Sequence, residues 1–212
     1  MRPFQIFLAI ALTASSAFAQ NWRTELNMID HDLRTQHYAH ARKWSIKMIN
    51  SMCDNLPTGQ GAMYTLGLTV AYRAIAESGL GKQDDGDWYW NVALSLYPDL
   101  AKRDWSAYGE AASRIIQSHE IEAEADAAEP VPIHKVDPRC PLSAVEGGYY
   151  NSVTLAAVVD RNGIPRCPRL VEAKQTPTLI YAAFEALKDW QFMPSAAPAN
   201  YQVTVNFDPP RS

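Results

Sequence analysis

The side chains best suited to chemistry are scattered rather than gathered. His31, Asp32, His37 and His40 lie close together, and His37 and His40 stand three apart on an expected helix. Imidazoles so spaced can share a metal ion, but nothing completes a recognised ligand set, so they read as a solvated polar face. Asp84-Asp85-Gly86-Asp87 has the carboxylates of a calcium loop without the alternating oxygens or the distant Glu. It reads as a turn, with Asp87 capping the next helix. Serines, histidines and aspartates occur without a nucleophile elbow, and no glycine-rich phosphate loop is present. The expectation is a protein that is not an enzyme, with no catalytic residue, no metal and no cofactor. Trp88, Tyr89 and Trp90 could line a peptide groove, but aromatic side chains dominate cores, and that is where they are expected.

Three cysteines remain: Cys53, Cys140 and Cys167. The opening "MRPFQIFLAIALTASSAFAQ" has a basic n-region at Arg2, an apolar run over 6–14 and an Ala17-Phe18-Ala19 cleavage signal. It reads as a secretory signal peptide over residues 1–19; Ser15 and Ser16 interrupt it well short of a spanning length. An exported chain meets an oxidising compartment where thiols tend to pair. Cys140 and Cys167 share one compositional block and flank an expected strand, so a Cys140–Cys167 disulfide is expected, with Cys53 left as a buried thiol.

The whole chain has 212 residues, a formal net charge of −4, 47% hydrophobic residues and six tryptophans. Such an apolar content builds packed cores rather than disorder. The acidic balance argues against nucleic acid and against electrostatic docking on anionic lipid.

Two blocks must position whatever site exists. Residues 20–117 carry helical stripes: Trp22, Leu26, Ile29 and Leu33; Ala41, Trp44, Met48, Ile49 and Met52; Met63, Leu66, Gly67, Val70 and Ala74; Tyr89, Val92, Ala93 and Leu96; and Tyr108, Ala112 and Ile115. Leu56-Pro57-Thr58-Gly59 marks a break. Residues 118–137 turn acidic and alanine-rich, then carry Pro130 and Pro132, and read as a linker. Residues 138–212 lose the helical period. Val153, Leu155, Ala157 and Val159 alternate with Ser152, Thr154 and Ala156. Asn162-Gly163 signals a hairpin whose two central residues both need φ > 0, and a return strand follows. Thr176 and Pro177 open a helix as N-cap and first residue, with Ile180, Ala183, Phe184 and Leu187 as its apolar stripe. Trp190 and Phe192 sit two apart before Pro194, placed to seal the space between helix and sheet. Tyr201, Val203, Val205 and Phe207 then alternate with Gln202, Thr204 and Asn206. The fold class is α+β: an all-α block followed by a β-β-α-β block with an antiparallel sheet.

"TLGLTVAYRAIAESG" and "NVALSLYPDL" resemble parts of a tetratricopeptide repeat, with Leu66, Gly67, Ala93 and Pro98 in its places, although Gly67 and Ala93 are too far apart for one repeat. A small helical bundle is the other reading. The last block resembles the TonB C-terminal domain in Pro141, Asp160, Gly163, Ala183, Ala186, Trp190, Phe192 and Pro194. That resemblance implies a three-stranded antiparallel sheet with a packed helix. It also implies a final strand that pairs with an extended peptide, such as a segment of an outer-membrane receptor. TonB itself keeps a membrane anchor and a long proline-rich rod, whereas this chain has a cleavable-looking leader and a helical block. The expected function is therefore a periplasmic, non-enzymatic protein–protein interaction protein. A membrane-anchored energy transducer for outer-membrane transport is the alternative.

The expected site is the edge strand Tyr201, Gln202, Val203, Thr204, Val205, Asn206 and Phe207. It contains no proline, lysine or glycine, the devices that normally protect an edge. Its partner would be a protein or an extended peptide. Cover by the helical block or by a second copy of the chain is the competing expectation.

Overall fold

The computed structural model describes residues 22–55, 60–118, 121–141, 144–145, 147–148, 152–173 and 176–207. The expected signal peptide and the break at Leu56–Gly59 lie outside the described residues.

The first block is helical. Helix α1 covers 22–34, α2 Tyr38–Asn55, α3 Gln60–Gly79, α4 Gln83–Leu96 and α5 Gly109–Ile116. The apolar stripes become the core: Ile29, Leu33, Ala41, Met48, Ile49, Met52, Leu66, Val70, Ala74, Val92, Ala93 and Leu96 are all buried. Two helices can approach closely only where side chains are small. A Cβ on Gly67 of α3 would meet Tyr97 Cβ at 3.1 Å, and one on Gly86 of α4 would meet the Ala74 carbonyl at 3.2 Å. Glycines on both sides thus let α3 and α4 pack backbone to backbone. Helix α4 begins at Gln83, five residues earlier than a cap at Asp87 would place it. Asp84 and Asp85 lie in its first turn, where the helix dipole favours negative charge, and Asp87 is inside the helix rather than its cap.

A polar knot fastens this block. The hydroxyls of Tyr72 and Tyr108 donate to Asp30 Oδ1 at 3.1 and 2.5 Å, and Arg34 Nε donates to Oδ2 at 2.7 Å. Burial alone would raise the Asp30 carboxyl, but these donors together hold it below the usual range.

The second block is a mixed sheet-and-helix unit, so the chain as a whole is α+β. Its elements are β1 Pro132–His134, β2 Ser152–Val159, β3 Pro165–Ala173, α6 Pro177–Lys188, β4 Gln191–Phe192 and β5 Ala199–Asn206. A three-stranded antiparallel sheet has the order β3-β2-β5, and β1 pairs with β4 in a separate two-stranded ladder. The β1–β4 pair was not foreseen. Val153, Leu155, Ala157 and Val159 are buried, but so are Ala156 and Val158, so from Leu155 onward β2 is buried on both faces and the expected alternation holds only at its start. Helix α6 packs on β2 and β3 with Ile180, Ala183, Phe184 and Leu187 inside. Pro177 occupies the first turn of α6, but Thr176 makes no side-chain cap bond; its carbonyl accepts from Leu179 and Ile180 instead.

The hairpin joining β2 to β3 differs from the two-residue turn expected. Of the Asn162-Gly163 pair only Gly163 has positive φ, at 79°. Gly163 N donates to the Asp160 carbonyl and Asp160 N to the Ile164 carbonyl, which makes a three-residue loop ending in a left-handed glycine. Asp160 Oδ1 accepts from the backbone of Asn162 and Ile164, and its Oδ2 pairs with Arg166, so the carboxylate ahead of the turn holds the loop.

Residues 121–137, read as a linker, lie along the sheet block. Glu124 N donates to the Pro198 carbonyl, Met193 N to the Val131 carbonyl and Trp190 Nε1 to the Val136 carbonyl, all at 2.9 Å. The two blocks share one continuous apolar cluster. Polar contacts cross between them as well: Arg73 Nη1 donates to Tyr181 Oη at 2.7 Å and stacks on Tyr89 at 3.7 Å, and Lys188 pairs with Asp85 at 2.6 Å.

The expected Cys140–Cys167 disulfide is not formed; all three cysteines are thiols. Cys167 lies in β3 and lines a cleft beneath α4, whereas Cys140 lines a different cavity, beside Cys53 and α6. A bridge needs Cα atoms within about 7 Å. Membership of one compositional block does not bring the two thiols together, because the segment entering the sheet block does not run beside β3. Instead it passes the end of α2.

Candidate peptide-docking edge

A three-stranded sheet has two edges, and here they differ in every device that controls pairing. Strand β3 is irregular. Against β2 its register slips twice, between Thr154 and Leu155 and between Ala156 and Val158, and each slip inserts one extra residue on the β3 side. Such bulges bend a strand and increase its twist. At the second, Cys167 takes φ 47°, and Pro168 follows without an N–H to offer. Helix α4 packs against this strand, and Leu170 N donates to Ser95 Oγ at 3.3 Å. That edge is covered and partly satisfied.

Strand β5 is regular. Eight consecutive residues, Ala199 to Asn206, pair with Val159 to Ser152 without a slip. No proline, glycine or charged residue interrupts the eight. Among the described residues no strand pairs with its far side. Successive side chains alternate between the two faces. Val205 and Phe207 are buried, and Tyr201 and Val203 are half-buried against the core. Gln202, Thr204 and Asn206 are exposed. Thr204 and Thr154 hydroxyls lie 3.0 Å apart across the ladder, a cross-strand pair that holds the register.

An aromatic wedge supports the start of β5. Phe192 packs edge-on to Tyr201 with ring centroids 4.7 Å apart, and Trp190 lies 6.3 Å from both rings. Trp190 and Phe192 are buried, as expected for residues that seal the helix against the sheet. Burial raises the Tyr201 hydroxyl, and the charge of Glu129 raises it further.

Strand β5 offers backbone hydrogen-bonding groups flanked by the exposed polar side chains of Gln202, Thr204 and Asn206. All seven expected edge residues lie together at one end of the sheet: six within β5, with Phe207 just after it. The other candidates lie elsewhere. His40 Nδ1 is 2.5 Å from Asp32 Oδ2 and its Nε2 accepts from Trp44 Nε1 at 2.8 Å, while His37 Nδ1 is 2.9 Å from Thr35 Oγ1. These imidazoles fasten the α1–α2 turn. Trp88, Tyr89 and Trp90 are buried in the helical core. Among the described residues no cluster of His, Cys, Asp and Glu could hold a metal ion, and no helix is long and apolar enough to cross a membrane. The irregularity of β3 escaped sequence reasoning, although Pro165 and Pro168 in that strand were a visible signal.

No protein-family model matches this chain, and no curated protein matches it either.

Proposed function

We propose that the protein is an exported, non-enzymatic interaction protein that captures an extended segment of a partner protein by adding it as a fourth strand alongside β5. The observation that carries the reading is the asymmetry of the sheet. One edge is bulged, proline-bearing and packed under α4, while the other is a straight, uncharged ladder of eight residues. Unprotected edges are a hazard that proteins usually blunt, so leaving this one regular fits a site used for pairing. In strand addition, backbone hydrogen bonds give affinity and alternate side chains give selectivity. Gln202, Thr204 and Asn206 on one face, and Tyr201 and Val203 on the other, would set partner choice. The strand-strand-helix-strand order and the resemblance of residues 138–212 to TonB C-terminal domains favour the same reading.

Proline scanning tests it. Thr204→Pro, Val203→Pro and Val205→Pro each remove one N–H, and at an outward-facing position an edge strand tolerates this. Partner capture in a pull-down from periplasmic extract should be lost in at least one variant that keeps a native circular-dichroism spectrum. Unchanged capture by all three folded variants would overturn the docking role. The exported location is tested separately, by mass spectrometry of periplasmic protein, which should find Gln20 as the N-terminal residue.

A further inference from the structure

Where α4 and α5 meet the β2–β3 hairpin, the two blocks leave a cleft of about 670 Å3, within the range of small-ligand and side-chain pockets. Trp88, Trp90 and Leu94 of α4 line it. Three isoleucines from three separate segments also converge on it. Ile116 at the end of α5 is 47% exposed, and Ile121 and Ile164 are each 37% exposed. Isolated exposed isoleucines need no explanation, but three on one concave surface form a contiguous apolar patch of the kind that marks binding sites. The indole N–H of Trp88 has no acceptor although the side chain is 4% exposed. A buried donor left without an acceptor costs free energy.

The charges around the cleft are unequal. Asp84, Asp85, Asp87 and Asp160 line it, against Arg166 and Lys188. Both cations are already engaged. Arg166 lies between Asp84 at 2.8 Å and Asp160 at 3.2 Å, and Lys188 sits 2.6 Å from Asp85. Asp87 accepts from Gln83 Nε2 at 2.7 Å, but among the described residues no cation pairs with it. Burial pushes its carboxyl above the usual range, and the hydrogen bonds from Gln83 and Ser118 offset only part of that. An arriving ammonium or guanidinium would supply the missing counter-charge.

We propose that this cleft is a second docking site, for a segment of a partner protein in which apolar side chains are flanked by Lys or Arg. The apolar side chains would sit on Trp88 and Trp90 between the three isoleucines, and the flanking cation would face Asp87. The cleft lies on the β3 side of the sheet, so the inference does not depend on pairing at β5.

The probe is a fluorescein-labelled, amidated hexapeptide of sequence Gly-Lys-Ile-Ile-Lys-Gly, titrated against the full chain by anisotropy. Saturable binding is expected, weakened by about tenfold when Glu replaces Lys or Ser replaces Ile. Ile116→Ser and Ile164→Ser should each weaken it by a similar factor, and both positions are exposed enough to preserve the fold. Asp87→Asn should weaken binding of the Lys peptide but leave unchanged that of a version carrying Gln for Lys. The proposal is overturned if the Lys and Glu peptides bind equally, if neither isoleucine variant changes affinity, or if no binding occurs up to about 1 mM. Should one isoleucine variant misfold, the other and the peptide series still decide.

Discussion

Strands β3 and β5 flank the same central strand, are nearly equal in length and lie in one sheet, yet they are built to opposite ends. Strand β3 has two bulges, two prolines, a left-handed Cys167 and α4 against its side. Strand β5 has none of these. The difference shows that edge protection here is a local property of each strand rather than of the sheet. The edge facing the helical block is fitted to it, and the other keeps the regular geometry that another strand can match.

The largest expected effect should strike both edges equally. Phe184 of α6 is fully buried, and Phe184→Ala should cost about 3–5 kcal/mol from lost burial and the cavity left behind. Because α6 packs on β2, the strand that both edges share, hydrogen exchange should accelerate in β3 and β5 together. Faster exchange in β3 alone would mean that α6 supports only the edge it touches.

A change at the hairpin should reach β3 through the loop and β5 through Phe192, on which Tyr201 packs. A Cβ at position 163 would collide with the Phe192 carbonyl, and its φ of 79° disfavours any side chain. Gly163→Val should cost roughly 2–3 kcal/mol in urea unfolding, whereas Gly81→Ala, with comparable φ and open space around it, should cost about 1 kcal/mol.

Removing the cover should expose the contrast directly. Ser95→Ala leaves Leu170 N without its acceptor, a loss of about 1 kcal/mol. Exchange at Leu170 should then speed up while β5 amides stay as they were. Cys167→Gly should act in the opposite direction, since glycine tolerates the left-handed backbone, and should stabilise the fold by about 0.5 kcal/mol.

The smallest effects separate two carboxylates of α4. Burial would raise Asp85, but Lys188 holds its carboxyl below the usual range. Its contribution is present above about pH 4 and is lost as pH falls through the lowered value, so Asp85→Asn should destabilise at pH 7 and flatten the acid limb. Asp87 is shifted upward by burial. Its folded state favours the protonated form, so stability falls as pH rises through the raised value, and Asp87→Asn should stabilise at pH 7. Both groups are partly solvated, so each change should be about 0.5 kcal/mol or less. Urea midpoints between pH 3 and 8 would check the opposite signs.

The features legible in the sequence were those set by short-range pattern. The alternation over 201–207, the stripe on Ile180, Ala183, Phe184 and Leu187, and the burial of Trp190 and Phe192 follow from side-chain period alone. Over 152–159 the period fails, because Ala156 and Val158 are buried on the second face of the central strand. Asn162-Gly163 announced the hairpin, though not its loop length, because Asp160 captures two backbone N–H groups and so adds a residue to the loop. The early start of α4 was missed because Gly86, read as a turn signal, is there to admit α3. The cover on β3 was not legible, since it depends on Ser95 and Leu170, which lie in different blocks. The expectation that residues 201–207 form an edge rested on their lack of proline, lysine and glycine and on the resemblance to TonB C-terminal domains; the contrast with β3 was not legible.

The pairing of β2 also sets a timetable for folding. Its partner β3 arrives through a three-residue loop, whereas β5 must wait for the intervening chain, with Ser152 meeting Asn206. Closing the longer loop costs more entropy, and contacts between distant residues form more slowly. During that interval β2 would offer a bare flank of its own, with Val153, Leu155, Ala157 and Val159 not yet shielded. Another copy of the chain could donate its own β5 there, so refolding at high concentration is expected to yield swapped dimers.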